Sequence, residues 1–142
     1  MKSVTSILKN VLFLVFPMLA LGCATSPSDQ SYDSPIGKWS EKWESPGGQM
    51  MSSKVEISSE TSGQYLDFYN SQVEFYAVEE PRIWKAYWIN PDHGRYPCAE
   101  EKGGSKYWGE ITYRFNETYT RYQGSYNTCG EGQKFSINGI RS

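Results

Sequence analysis

Residues 36–142 contain no stretch with helical periodicity and consist largely of short runs rich in aromatic and β-branched residues. The segments between these runs, such as 45–48, 90–94 and 129–132, carry Gly, Pro, Asn and Ser, which favour tight turns. This pattern predicts about eight sequential β-strands. The predicted strands are 36–44, 49–58, 64–69, 72–79, 83–90, 106–116, 118–126 and 133–140.

Alternation within the runs indicates strands with one buried face. In the run 106–116, Tyr107, Ile111 and Phe115 share one face and Trp108 lies on the other. Tight turns between sequential strands suggest an antiparallel meander, and closure into a barrel removes its two exposed edges. We therefore predict an all-β fold, a single small antiparallel up-and-down β-barrel, with a flattened β-sandwich as the alternative. The interior of such a barrel is either filled by side chains or able to hold one small ligand.

The first 22 residues have the three regions of an export signal: Lys2 and Lys9, an apolar run, and a small residue, Gly22, at the end. The run is too short to span a bilayer comfortably, and we expect 1–22 to be removed. An ordinary secretory signal is one interpretation of this segment.

The segment Leu19-Ala20-Leu21-Gly22-Cys23 resembles the lipobox of bacterial lipoproteins. The resemblance implies that acyl chains such as palmitate are attached at Cys23 and anchor the chain to a membrane without a transmembrane helix. Ala24 after the cysteine resembles the pattern of outer-membrane lipoproteins. We therefore expect a bacterial envelope protein on the outer membrane, facing the periplasm or the cell surface. Residues 23–35, polar and rich in Ser and Pro, are predicted to form a flexible tether to a domain at 36–142.

The formal charge of the chain narrows its possible partners. Two of the 14 basic residues and none of the 16 acidic residues lie in the signal, so its removal takes the formal charge from −2 to −4. No basic run is present, which argues against nucleic acid as a partner.

With Cys23 assigned to lipid, Cys98 and Cys129 remain, and in an oxidising compartment they are expected to form a disulfide. The alternative is a free nucleophilic cysteine.

The first and last strands carry a second resemblance. Gly37-Lys38-Trp39 at the start of the domain, together with Arg141 near its end, is similar to the pattern of lipocalins and the wider calycin group. In that family the tryptophan closes one end of an up-and-down barrel beneath the arginine, and the other end is open to a small apolar ligand. The resemblance makes Gly37, Trp39 and Arg141 fold residues rather than ligand contacts. Trp39 as a core tryptophan of a different β fold is the alternative.

Aromatic residues are unusually frequent, with 11 Tyr and 5 Trp. Large rings with a polar atom suit an amphipathic pocket or a protein interface, although they also serve as ordinary strand residues. The candidate binding residues are Tyr65, Tyr76, Trp84, Trp88, Trp108 and Tyr113.

Residues able to support catalysis are sparse. The single histidine, His93, lies beside Asp92 in a turn, without the spaced partners that a metal site needs. The doublets 79–80 and 100–101 offer paired glutamates, but at turn edges where surface charge is expected. We expect no enzyme activity, no metal and no cofactor.

The expected function is therefore binding. The first hypothesis is a lipocalin-like domain for a small amphipathic or apolar ligand. The alternative is a protein-interaction module, an inhibitor, immunity or assembly factor acting on an envelope protein, with residues 91–105 as the candidate contact loop.

Overall fold

The computed structural model of this chain describes residues 30–91 and 93–142. They form eight antiparallel strands, which confirms the predicted all-β fold. The predicted signal 1–22, Cys23, most of the tether 23–35, and Asp92 lie outside the described residues. The strands are β1 Gly37–Glu44, β2 Met50–Ile57, β3 Ser62–Tyr65, β4 Gln72–Glu80, β5 Ile83–Asn90, β6 Tyr107–Phe115, β7 Arg121–Thr128 and β8 Glu131–Arg141.

Each strand pairs with its neighbour in sequence, and β1 also pairs with β8, so the sheet is a closed barrel rather than a flattened sandwich. The closing register runs from Trp39 opposite Arg141 to Trp43 opposite Ile137. Closure gives every strand a paired neighbour on both sides. Across the two described ranges, no helix is long and apolar enough to span a membrane.

Seven predicted strands have different ends in the structure, and the third and seventh differ most. The third ends at Tyr65, because Tyr69 and Asn70 adopt left-handed backbone angles (φ 49° and 51°) that no strand accommodates. The seventh begins at Arg121 rather than at residue 118. There, the Asn116 side-chain oxygen accepts hydrogen bonds from the backbone N–H groups of Thr120 and Arg121, at 2.9 and 3.0 Å, and closes a turn.

One end of the barrel is closed by Trp39, which is fully buried. Its ring packs against Phe115 and Tyr122, at centroid distances of 5.4 and 5.1 Å, and its indole N–H donates to the Pro35 carbonyl at 2.9 Å. The Arg141 guanidinium lies 5.4 Å from the Trp39 ring centroid. This half of the barrel interior is filled by side chains.

Arg141 also ties the segment before β1 to the closed end. Its guanidinium donates to the Ser34 carbonyl at 2.8 Å and to the Ile36 carbonyl, and it stacks on Tyr32, 3.6 Å from the ring centroid. Gly37 makes room for it: its φ is +144°, and a Cβ there would lie 2.6 Å from an Arg141 nitrogen. Gly37, Trp39 and Arg141, which carry the resemblance to lipocalins, therefore lie together at the closed end.

A second, smaller core lies outside the barrel wall. The predicted Cys98–Cys129 disulfide is present and connects the segment 91–106 to the turn after β7. Beneath it, Ile89 and Trp108 project from the outer face of the sheet yet are buried. The Trp108 indole N–H donates to the Glu100 carbonyl at 2.9 Å. Residues 98–106 are thus packed onto the barrel.

Candidate ligand cavity

The end of the barrel opposite Trp39 contains a cavity of about 790 Å³. The hairpin turn 45–49, the loop 66–71 and part of the segment 91–106 surround its mouth. Its floor lies about halfway down the barrel. The floor residues are Glu41, Tyr65, Ile111 and Ile137.

Aromatic rings form the cavity wall. Trp43 packs edge-on against Phe68 and Tyr126, at centroid distances of 5.5 and 5.9 Å, and Tyr126 lies 6.5 Å from Trp88. All four rings are only partly buried, although they are large apolar groups. The wall therefore exposes apolar surface on its concave side, which is typical of small-molecule sites.

Hydrogen bonds to the backbone fix two of these rings. The Tyr126 hydroxyl donates to the Glu44 carbonyl at 2.6 Å, and the Trp88 indole N–H donates to the Asn127 carbonyl at 2.9 Å. Partial burial raises the pKa of Tyr126 to about 12, so its hydroxyl stays a donor at neutral pH. Gly109 allows the Trp88 contact, since a Cβ there would lie 2.6 Å from the indole nitrogen.

Glu41 is the one acidic side chain at the floor, and it is only 2% exposed. Its carboxylate accepts hydrogen bonds from Ser53 Oγ at 3.1 Å, from the Tyr65 hydroxyl at 3.1 Å and from the Tyr122 hydroxyl at 2.6 Å. Burial raises the pKa of Glu41, the three hydrogen bonds to its carboxylate offset part of this increase, and the negative charge of Asp67 adds a smaller increase. Neither ion pair found in the described residues includes Glu41.

The tyrosine hydroxyls around Glu41 stay protonated at neutral pH. Burial raises the pKa values of Tyr65, Tyr113 and Tyr122 well above 10, and the charge of Glu41 acts in the same direction. The Tyr113 hydroxyl is buried without a hydrogen-bond partner among the residues that the structure describes. The floor is therefore a polar layer within an aromatic interior.

Loops 66–71 and 91–106 meet at the mouth. Tyr69 stacks on His93 with a centroid distance of 5.6 Å and an interplanar angle of 10°. Below them, the Ser71 hydroxyl donates to the Asn90 side chain, whose amide donates to the His93 carbonyl at 3.0 Å. Tyr96 stands at the rim and is 66% exposed.

The six candidate binding residues lie in three places. Tyr65 and Trp88 line the cavity. Trp84 and Tyr113 belong to the buried core and do not line the cavity. Tyr76 stacks on Tyr87 on the outer face of the barrel, and Trp108 belongs to the small outer core.

Four residues line the cavity without having been predicted from the sequence: Glu41, Trp43, Phe68 and Tyr126. The signal for Glu41 is in β1, where it alternates in phase with Trp39 and Trp43 and so shares their inward face. Phe68 has no comparable signal, because it lies in a loop. Its position depends on how that loop folds over the barrel.

Other chemical features lie away from the cavity. The glutamate doublets 79–80 and 100–101 are exposed. In residues 30–91 and 93–142, no group of three or more His, Cys, Asp or Glu side chains could hold a metal ion.

We expect the raised pKa of Glu41 to make stability depend on pH. The folded state binds the Glu41 proton more tightly than the unfolded chain, whose pKa is near 4.5. Its contribution is therefore fully present below pH 4.5 and is lost as pH rises towards the folded-state pKa, by at most about 1.4 kcal/mol per pH unit. Urea unfolding of wild type and Glu41→Gln between pH 4 and 8 measures this loss as a difference between the two profiles.

Glu60→Gln is the control, because Glu60 is exposed in the turn between β2 and β3. It should follow the wild-type profile. Parallel wild-type and Glu41→Gln profiles would contradict the expectation.

Searches of protein-family models, curated proteins and solved structures found no significant match to this chain. The geometry of the cavity therefore carries the functional argument.

Proposed function

We propose that this chain is a non-catalytic, lipid-anchored envelope protein whose barrel binds a small amphipathic or apolar molecule. The observation that carries the proposal is the open cavity of about 790 Å³ with its partly exposed aromatic wall. That volume is within the range of about 300 to 1,000 Å³ that is usual for small-molecule sites. The resemblance of Gly37, Trp39 and Arg141 to the lipocalin pattern supports the same function.

The arrangement of the interior favours a ligand site over a packing defect. The half of the barrel around Trp39 is filled, and the hollow lies at the opposite end. Because Trp43 and Trp88 leave apolar surface in contact with water there, a ligand that covers it gains the free energy of apolar burial. The polar floor at Glu41 would orient one end of that ligand.

The lipid anchor is part of this proposal, and the lipobox-like segment that ends at Cys23 supports it. Tyr32 contacts the closed end, where its backbone N–H donates to the Thr118 carbonyl at 3.0 Å. The chain therefore joins the barrel on the closed side, away from the cavity mouth. A ligand would enter from the side that faces away from the point of attachment.

We expect Ile111→Trp to remove ligand binding, because Ile111 lines the cavity and is only 2% exposed. An indole at this position would extend into the hollow. The matched control is Ile140→Trp, since Ile140 lies on the outer face and is 59% exposed. Native mass spectrometry of the protein expressed from residues 1–142 compares the folded and denatured masses of each variant.

Wild type and Ile140→Trp should carry an excess mass that disappears on denaturation. In Ile111→Trp, the fraction of folded protein that carries this excess mass should be at least about tenfold lower. Near-ultraviolet circular dichroism checks that each variant is folded. Wild type without any excess mass, or Ile111→Trp that retains it, would contradict the proposal. The denatured mass also reports whether acyl chains are attached at Cys23.

A second candidate function is a protein-interaction module. It is favoured by exposed aromatic residues at the mouth, Tyr69 at 58% and Tyr96 at 66%. A partner that contacts this rim would still bind Ile111→Trp, because the substitution changes the interior alone. Pull-down of an envelope protein that Tyr96→Ala abolishes and Ile111→Trp leaves intact would favour this function.

A further inference from the structure

The floor of the cavity has an unusual charge arrangement: Glu41 is buried and has no ion-pair partner among the residues that the structure describes. Ser53, Tyr65 and Tyr122 hydrogen-bond to Glu41, but all three are neutral hydroxyls. Among the described lining residues, the one Lys or Arg is Arg95, which is exposed at the mouth. Burial without an opposite charge favours the neutral acid, in line with the raised pKa of Glu41, and a cation beside the side chain would favour the carboxylate.

We propose that the ligand carries a protonated amine and that this ammonium group binds at Glu41. The inference rests on the proposed ligand-binding function and specifies its ligand class. An ammonium would supply the missing positive charge, and a charge-assisted hydrogen bond to a carboxylate is stronger than a neutral one.

The hydrogen-bonding capacity of the floor matches such a group. The described donors to Glu41 Oε2 are Tyr122 at 2.6 Å and Tyr65 at a long 3.5 Å, so this oxygen retains accepting capacity. The Tyr65 hydroxyl donates to Glu41, and a hydroxyl oxygen can accept a hydrogen bond at the same time. An ammonium has up to three N–H donors and no acceptor, so it fits a floor built from acceptors.

The wall above the floor suits the remainder of the ligand. Trp43, Trp88 and Tyr126 present aromatic rings to the cavity, and ring faces attract cations as well as apolar groups. A ligand with an ammonium at one end and an apolar or aromatic body would satisfy both regions. An anionic head group at the floor would instead meet the charge of Glu41 and would be rejected.

The test uses three probes that share one apolar body: 2-naphthylmethylamine, protonated at neutral pH, 2-naphthylmethanol and 2-naphthoate. Isothermal titration calorimetry measures the affinity of each probe for the protein expressed from residues 1–142. The amine should bind wild type at least about tenfold more tightly than the alcohol, the effect expected of one charge-assisted contact. The carboxylate should bind most weakly.

In Glu41→Gln the preference for the amine over the alcohol should fall to within about twofold, because the charge is absent while the side-chain size is kept. Glu60→Gln has the same loss of charge on the surface and should keep the wild-type preference. If Glu41→Gln fails to fold, the wild-type comparison alone decides the proposal.

Equal binding of the amine and the alcohol to wild type would overturn the ammonium proposal and leave cavity binding intact. Absence of binding by all three probes would also overturn it. Native mass spectrometry distinguishes failure of the ammonium proposal from failure of the binding function. If wild type carries the excess mass, only the ligand class is wrong. If the excess mass is also absent, the proposed binding function is wrong as well.

Discussion

Trp39→Ala should lower the free energy of unfolding by about 3 to 5 kcal/mol, the usual cost of truncating a large buried aromatic residue. Trp39 is fully buried and contacts Phe115 and Tyr122, and its indole N–H bonds to the Pro35 carbonyl. Its loss would also remove the ring beneath Arg141. Urea denaturation followed by circular dichroism measures the change.

The control for this variant is Tyr96→Ala, which also replaces an aromatic residue by alanine but at a site that is 66% exposed. It should change stability by less than about 0.5 kcal/mol. A Trp39→Ala protein as stable as Tyr96→Ala would show that the closed end is not the main packing centre of the barrel.

Replacement of both Cys98 and Cys129 by alanine should cost about 3 to 4 kcal/mol, because the disulfide closes a long loop and restricts the unfolded chain. The sequence separation of the two residues is 31. The disulfide also connects the segment 91–106 to the turn after β7, and this segment carries His93 and Tyr96 to the cavity mouth. We therefore expect weaker ligand binding as well as lower stability.

Urea unfolding and calorimetry with 2-naphthylmethylamine measure the two effects. Wild type reduced by dithiothreitol is the matched control, because it lacks the same crosslink but keeps every side-chain position, and it should behave like the double variant. Unchanged stability in both samples would contradict the expectation that this disulfide stabilises the fold.

Local patterns in the sequence were sufficient for the all-β class and the strands, whereas the structure decided between a closed barrel and a flattened sandwich. The alternation of apolar and polar residues along β6 placed Tyr107, Ile111 and Phe115 on one face, and the structure turns that face inward. The turn residues located all eight strands. The disulfide followed from having two cysteines once Cys23 was assigned to lipid, and it is present. Each of these inferences needs only near neighbours or a count.

The candidate site could be predicted only in part, because alternation assigns a face but not an environment. Trp108 lies on the outer face, as its phase in β6 indicates, yet it is buried because the segment 91–106 folds over it. Trp84 and Trp88 share the inward face of β5, but Trp84 is packed in the core while Trp88 lines the hollow end. Position along the barrel axis separates these two, and no local pattern encodes that position.

The sequence by itself thus determined the strands, their inward and outward faces and the pairing of Cys98 with Cys129. Tertiary structure alone decided which end of the barrel is filled, which end is open, and that Glu41 lies at the boundary between them. The physical reason is that packing and burial depend on residues distant in sequence. Ser53 lies opposite Glu41 in the neighbouring strand β2, whereas Tyr65 reaches the carboxylate from β3 and Tyr122 reaches it from β7 because the sheet closes between β8 and β1.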